Sequence, residues 1–173
     1  MAVLDILTYP DEQLKKLAEP VTDFDQPLQD FLDDLLGTHD VAPGCVGIAA
    51  PQVGVHKRIV IVDLTSKPKL KSHGRLVLIN PEIVEWQGFE VGREGCLSVP
   101  DYTGNVVRAE SIVLEAQDRD GQSQRYEMEG YEARVAQHEI DHLDGMLFLD
   151  RLVSRRSDLF KRKTYQKGKK KKE

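Results

Sequence analysis

The stretch "YEARVAQHEIDHLDG", residues 131–145, constrains this chain more than any other. It contains no proline and ends on glycine, the residue that most often closes a helix, so it predicts a helix over 131–144. Tyr131, Val135, His138 and His142 then recur at spacings of four, three and four and share one face, the periodicity of a side turned toward a core. A fold that carries two imidazoles inward has to give them something to do. "HEIDH" fits the H-E-x-x-H pattern, in which two histidines one turn apart aim ring nitrogens at one cation while the intervening Glu139 stands beside the site and outside the ligand set. On their own, two such histidines also serve as ordinary packing residues.

A catalytic cation takes a third protein ligand and keeps one position open. The remaining histidines, His39, His56 and His73, fall in earlier segments with no patterned context. Cys96, in "REGCLSVP", is the better candidate: a thiolate binds a borderline-soft cation well, and the neighbouring Gly95 permits a backbone approach that a side chain would obstruct. Taken alone, Cys96 reads more readily as a buried structural thiol than as a ligand. The segment "GCVGIAAPQVG", residues 44–54, gathers small residues around Gln52, whose amide N–H can donate to an anionic oxygen; as a bare loop it would be an ordinary turn.

The rest of the chain supplies a scaffold. "TYPDEQLKKLAEPV" (8–21) predicts a short helix capped by Asp11, and "FDQPLQDFLDDLLGTHD" an amphipathic helix with Leu28, Phe31, Leu32 and Leu35 on one side and Gly37 as its stop. Branched residues mark strands at 58–64, 76–86 and within 105–129, with Asp120-Gly121 as a hairpin turn. Apolar residues after 145 predict an extended piece and then a C-terminal helix from about Ser154. At 173 residues and 40% hydrophobic the chain forms one domain, residues 1–160.

"MAVLDILTYPDEQ" lacks the basic start and apolar run of an export signal, so a cytoplasmic setting with Cys45 and Cys96 reduced is expected, and no apolar run approaches a membrane span. The first 160 residues carry 16 basic against 28 acidic side chains, whereas residues 161–173 hold eight basic and one acidic. That tail reads as a solvated, disordered end or as an electrostatic tether to RNA; it has no base-reading motif, and nothing in the chain suggests DNA binding.

"GIAAPQ" at 47–52, "EGCLSVP" at 94–100 and "QHEIDHLDG" at 137–145 together resemble the three motifs of the peptide deformylases, in that family's order and separation. The resemblance implies an α+β fold with antiparallel sheets packed around a central metal-binding helix, N-terminal helices before it and a C-terminal helix after it. It implies one divalent metal on Cys96, His138 and His142, Fe²⁺ in cells with Zn²⁺, Ni²⁺ or Co²⁺ as substitutes. It implies Glu139 as the acid and base, and Gln52 with the backbone N–H of Leu97 steadying the substrate oxygen. The substrate would be an N-formylmethionyl peptide, formate a product, and the basic tail a ribosome contact. Gly47 and Gly95 would border the substrate. Tyr131 and Val135 would line an apolar pocket for methionine or simply pack on the sheet, and Glu94 would orient a metal ligand or Arg134. Cys45 departs from the family's first motif, where glycine is usual, and trims the groove. Competing readings are a zincin-type peptidase, a thiol hydrolase with Cys96 as nucleophile and His138 as base, and a ribosome-binding protein with a vestigial site.

Overall fold

The structure, a computed structural model, describes residues 2–152 and 154–162. Eight strands make two antiparallel sheets. β1 (Gly47–Ala49), β2 (Ile59–Asp63), β3 (Arg75–Gln87), β6 (Ser111–Gln117) and β7 (Ser123–Glu129) form a five-stranded sheet in the order β1-β2-β3-β6-β7. β4 (Glu90–Cys96), β5 (Val99–Arg108) and β8 (Leu159–Lys161) form a three-stranded sheet in that order. The α-helices among the described residues are α1 (Gln26–Val41), α2 (Gly130–Leu143) and α3 (Arg155–Asp158).

Strand periodicity divides the core. In β2 every residue is buried, because both faces of the large sheet are covered. Val60 and Val62 pack with Ala133, Ala136, Ile140 and Leu143 of α2, while Ile59 and Ile61 pack with Leu28, Leu32 and Leu35 of α1 on the other side. Each such aliphatic side chain contributes about 1.5–3 kcal/mol on full burial. A third cluster, formed by Cys96, Val99, Val106, Leu147, Phe148 and Leu149, ties the small sheet to the segment after α2. The motif helix is therefore enclosed between two antiparallel sheets, as the resemblance implies.

The hairpin predicted at Asp120-Gly121 joins β6 to β7, with Gly121 at φ 85°. Other expectations need correction. Residues 8–21 form only a 3-10 turn over Glu12–Lys15, capped as expected by Asp11. Leu14, Ala18 and Val21 are all buried, but Ala18 and Val21 join different core clusters and Leu17 is 70% exposed, so these residues do not pack as one helical face. The backbone groups that follow are spent elsewhere: Ala18 N–H donates to Leu143 O, and Glu19 pairs with His56 and Arg58. α1 runs through Gly37 to Val41. An interior glycine costs about 1 kcal/mol, and Gly37, Thr38 and His39 are buried, so packing carries the helix on until Pro43 approaches. The C-terminal helix begins where expected, with Ser154 Oγ accepting from Ser157 N–H, but lasts one turn. The free edge of β5 then captures Leu159–Lys161 as a strand opposite Tyr102–Gly104.

Lys161 thus lies in β8, and Arg162 N–H donates to Asp101 O at 2.8 Å. Residues 163–173, most of the basic tail, lie outside the described residues. Among the described residues no helix is long and apolar enough to cross a membrane.

Candidate metal centre and its cleft

The site forms where α2 meets the β4–β5 hairpin. Alternation along β4 turns Glu94 and Cys96 inward while Arg93 and Gly95 stay exposed. On α2 the i, i+4 pair His138 and His142 faces them. Cys96 Sγ, a ring nitrogen of His138 and one of His142 lie within 4.8 Å of one another, all three residues buried. Cys96 Sγ is 3.4 Å from His142 Nε2, close to the edge of about 3.5 Å that tetrahedral metal–sulfur and metal–nitrogen bonds of about 2.3 and 2.0–2.1 Å would span. His138 donates Nδ1–H to Glu94 Oε1 at 2.9 Å, which leaves Nε2 free for a cation. The donor set and its spacing therefore fit one small divalent ion. A second group, His39, Asp40 and Asp63, is equally compact. There the Arg75 guanidinium already supplies the positive charge, bonding both carboxylates.

Beneath the ligands lies a buried ion network. Glu94 accepts from Arg108 Nε and Nη2, each at 2.8 Å, and from Arg134 Nη1 at 2.7 Å. Arg108 also donates to Asp141 Oδ2 at 2.6 Å, and Arg151 closes the chain on Asp141 at 2.8 and 3.0 Å. Burial pushes the Glu94 carboxyl up, but the hydrogen bonds and charges of Arg108 and His138 outweigh it and hold it well below the usual carboxylate range. Glu94 thus contacts both His138 and Arg134. Gly92 leaves the room this needs: a Cβ there would meet Arg134 Cζ at 2.8 Å.

Glu139 is 5% exposed and its Oε1 has no partner among the described residues. Burial pushes its carboxyl up to about 7, against the lowering pull of His138. A carboxyl that both holds and releases a proton near neutrality suits acid–base chemistry. Burial disfavours a charged His138, but Cys96 and Glu94 outweigh it and raise its pKa well above the usual value; burial lowers that of His142 well below. Gly47 owes its place to Glu139, because a Cβ on it would lie 2.8 Å from Glu139 Oε2 and 3.0 Å from Ile61 O.

Gln52 is held in one orientation. Its Oε1 accepts from Ala49 N–H at 2.9 Å, so Nε2 points into the site, 3.1 Å from Ser98 Oγ and 3.5 Å from Cys96 Sγ. Leu97 is the half-buried turn residue between β4 and β5. A cleft of about 440 Å³ opens over these groups, bordered by Gly47, Gly95, Leu97, Tyr131 and Val135 among others. Val135 lines the cleft and also belongs to the core. Tyr131 lines it while 38% exposed. Cys45 also borders it, its Sγ donating to Gly47 O at 3.1 Å and its thiol pushed up to about 12 by burial, which leaves it protonated and unreactive.

The cleft runs between two sheet edges, β1 of the large sheet and β4 of the small one. Sequence reasoning missed Ser98, Arg108, Asp141 and Arg151. The one available signal was Asp141 inside "HEIDH", an acid on a helix with an inward face that must find a cation.

The family profile described as polypeptide deformylase matches residues 3–158. A peptide deformylase of Thermodesulfovibrio yellowstonii is 43% identical over 163 residues, covering 94% of this chain and 97% of that protein. The crystal structure of a peptide deformylase from Legionella pneumophila superposes with a TM-score of 0.81 at 44% identity, covering 87% of this chain and 86% of that one. A class I type b peptide deformylase from Acinetobacter baumannii, bound to Met-Ala-Ser, gives a TM-score of 0.81 at 36% identity, with coverages of 87% and 99%.

Proposed function

Because the chain belongs to the polypeptide deformylase family, we propose that it hydrolyses the formyl amide of N-formylmethionyl peptides as they emerge in the cytoplasm, releasing formate. Cys96, His138 and His142 would hold one divalent ion, Fe²⁺ in cells with Zn²⁺, Ni²⁺ or Co²⁺ able to substitute. Such an ion supplies Lewis acidity and makes a water nucleophilic near neutral pH.

The protein's own groups do the rest. Glu139 takes the proton of the attacking water and returns it to the departing amine nitrogen; a carboxyl near 7 is matched to both transfers. Gln52 Nε2–H and the Leu97 backbone N–H donate to the oxygen that gains charge in the tetrahedral state. Losing one such donor costs about 10²–10³ in rate. Glu94 holds His138 in the tautomer that presents Nε2. The substrate backbone lies extended between the β1 and β4 edges, gaining ladder hydrogen bonds, with the methionine side chain against Val135 and Tyr131. The basic tail would tether the enzyme to ribosomal RNA; removing residues 163–173 should weaken ribosome co-sedimentation in a salt-dependent way and leave short-peptide turnover intact.

The observation that supports this reading best is the Cys96, His138 and His142 cluster beside Glu139, a buried carboxyl with an unpartnered oxygen among the described residues. Formate release from formyl-Met-Ala-Ser by anaerobically metal-loaded protein tests it. Glu139→Ala should abolish turnover and keep the metal, and turnover that survived would refute the assigned role.

A further inference from the structure

The described body is acidic, yet two arginines that line its cleft stand apart from the carboxylates. Arg58, Arg75, Arg108, Arg119, Arg125, Arg134 and Arg151 each meet a carboxylate within 4.0 Å. Arg93 and Arg162, which both line the cleft, meet none among the described residues. Arg93 lies over the Phe160 ring, its Cζ 3.8 Å from the centroid, and donates to Asn105 Oδ1 and Thr103 Oγ1, so its guanidinium is held in place by neutral groups. Arg162 is anchored by its backbone bond to Asp101 and crosses the bare face of Gly95: a Cβ on Gly95 would lie 2.6 Å from Arg162 Nη2. Its Nε is buried and has no partner among the described residues. The space that glycine opens beside Cys96 is thus taken by a cation from the chain's last strand, with hydrogen-bonding capacity to spare.

From these observations we propose that Arg162, with Arg93 beside it, forms a carboxylate-binding subsite that makes the enzyme prefer substrates with an acidic side chain at the second or third residue. The inference rests on the deformylase reading and on an extended substrate along β4. At about 3.3 Å per residue a peptide starting at Cys96 passes Gly95, which Arg162 crosses, at its second position and Glu94, flanked by Gly95 and Arg93, at its third. A partly buried guanidinium pairs with a carboxylate through charge-assisted, bidentate bonds, which an amide isostere cannot match.

The experiment compares the amidated peptides formyl-Met-Glu-Ala, formyl-Met-Gln-Ala, formyl-Met-Ala-Glu and formyl-Met-Ala-Gln on the metal-loaded full chain and on Arg162→Met. Amidation removes the terminal carboxylate as a competing source. The wild-type chain should favour the better glutamate peptide over its glutamine partner roughly five- to tenfold in kcat/KM. The preference should sit in KM, shrink with added salt, and fall toward unity in Arg162→Met. Calorimetric binding of the product amides Met-Glu-Ala and Met-Ala-Glu, each paired with its glutamine counterpart, should show the same difference at the same position. Equal values for glutamate and glutamine peptides in the wild type, or a preference that Arg162→Met retains, would overturn the subsite. If no formyl peptide were turned over, the deformylase reading would fail instead, and the calorimetric pairs would still decide the subsite.

Discussion

Glu94 offers the sharpest stability test, because one carboxylate receives four short hydrogen bonds from three basic residues: Arg108 twice, Arg134 and His138. All four side chains are at most 8% exposed. Glu94→Gln keeps the shape but removes the charge and turns an NH₂ group toward N–H donors. Breaking a buried ion pair by removing one partner costs about 3–5 kcal/mol. Arg108 keeps Asp141, and Arg134 keeps the Val106 and Glu90 carbonyls, so the lower end applies. A domain of this size loses about 2–4 °C of Tm per kcal/mol, so a fall of about 6–12 °C is expected. His138 also loses its orienting acceptor, which should weaken metal binding about 10- to 100-fold. Thermal melts of metal-free protein and chelator competition with zinc measure the two effects separately. Arg125→Gln is the control: its partners Glu85 and Glu115 are half-exposed, and such pairs contribute little. A Glu94→Gln protein that melted with the control and bound zinc as tightly as wild type would refute the reasoning.

Asp63 carries a pH-dependent contribution to stability. Bonds from Thr65 and Arg75 outweigh burial and lower its carboxyl to about 2, below the ordinary 3.8, so the stabilisation is full above about pH 4 and fades as the pH falls toward 2. Asp63→Asn should cost about 1–3 kcal/mol at pH 7, and urea titrations should show the two proteins converging between pH 4 and 2; a constant gap would contradict this. Gly47→Ala should push Glu139 from its place, lowering kcat at least tenfold while metal content by elemental analysis stays that of the wild type.

The parts of the fold that could be read from the residues are those where one signal dominates. β2 and β3 are runs of branched residues, and α2 has a 3.6-residue repeat, no proline and a terminal glycine. β1 and β4 escaped because "GIA" and "EVGREGC" look like loops: their burial comes from partners in other elements, and the glycines that weaken a strand signal make room for Glu139, Arg134 and Arg162. The candidate ligand cluster could be read because imidazoles and a thiol are rare, and an i, i+4 spacing is a local fact. The Glu94–Arg108–Asp141–Arg151 network could not, since common charged residues from β4, β5, α2 and the segment after it meet only once the sheets close on the helix. Arg162 escaped for a different reason: in sequence it belongs to a basic tail, and only pairing of β8 with β5 brings it to the cleft.

X-ray absorption at the metal edge of anaerobically loaded protein tests the central claim most directly. One sulfur scatterer at about 2.3 Å and two imidazole nitrogens at about 2.0–2.1 Å are expected, with the sulfur lost in Cys96→Ser. A first shell of nitrogen and oxygen alone in the wild-type protein would contradict the account.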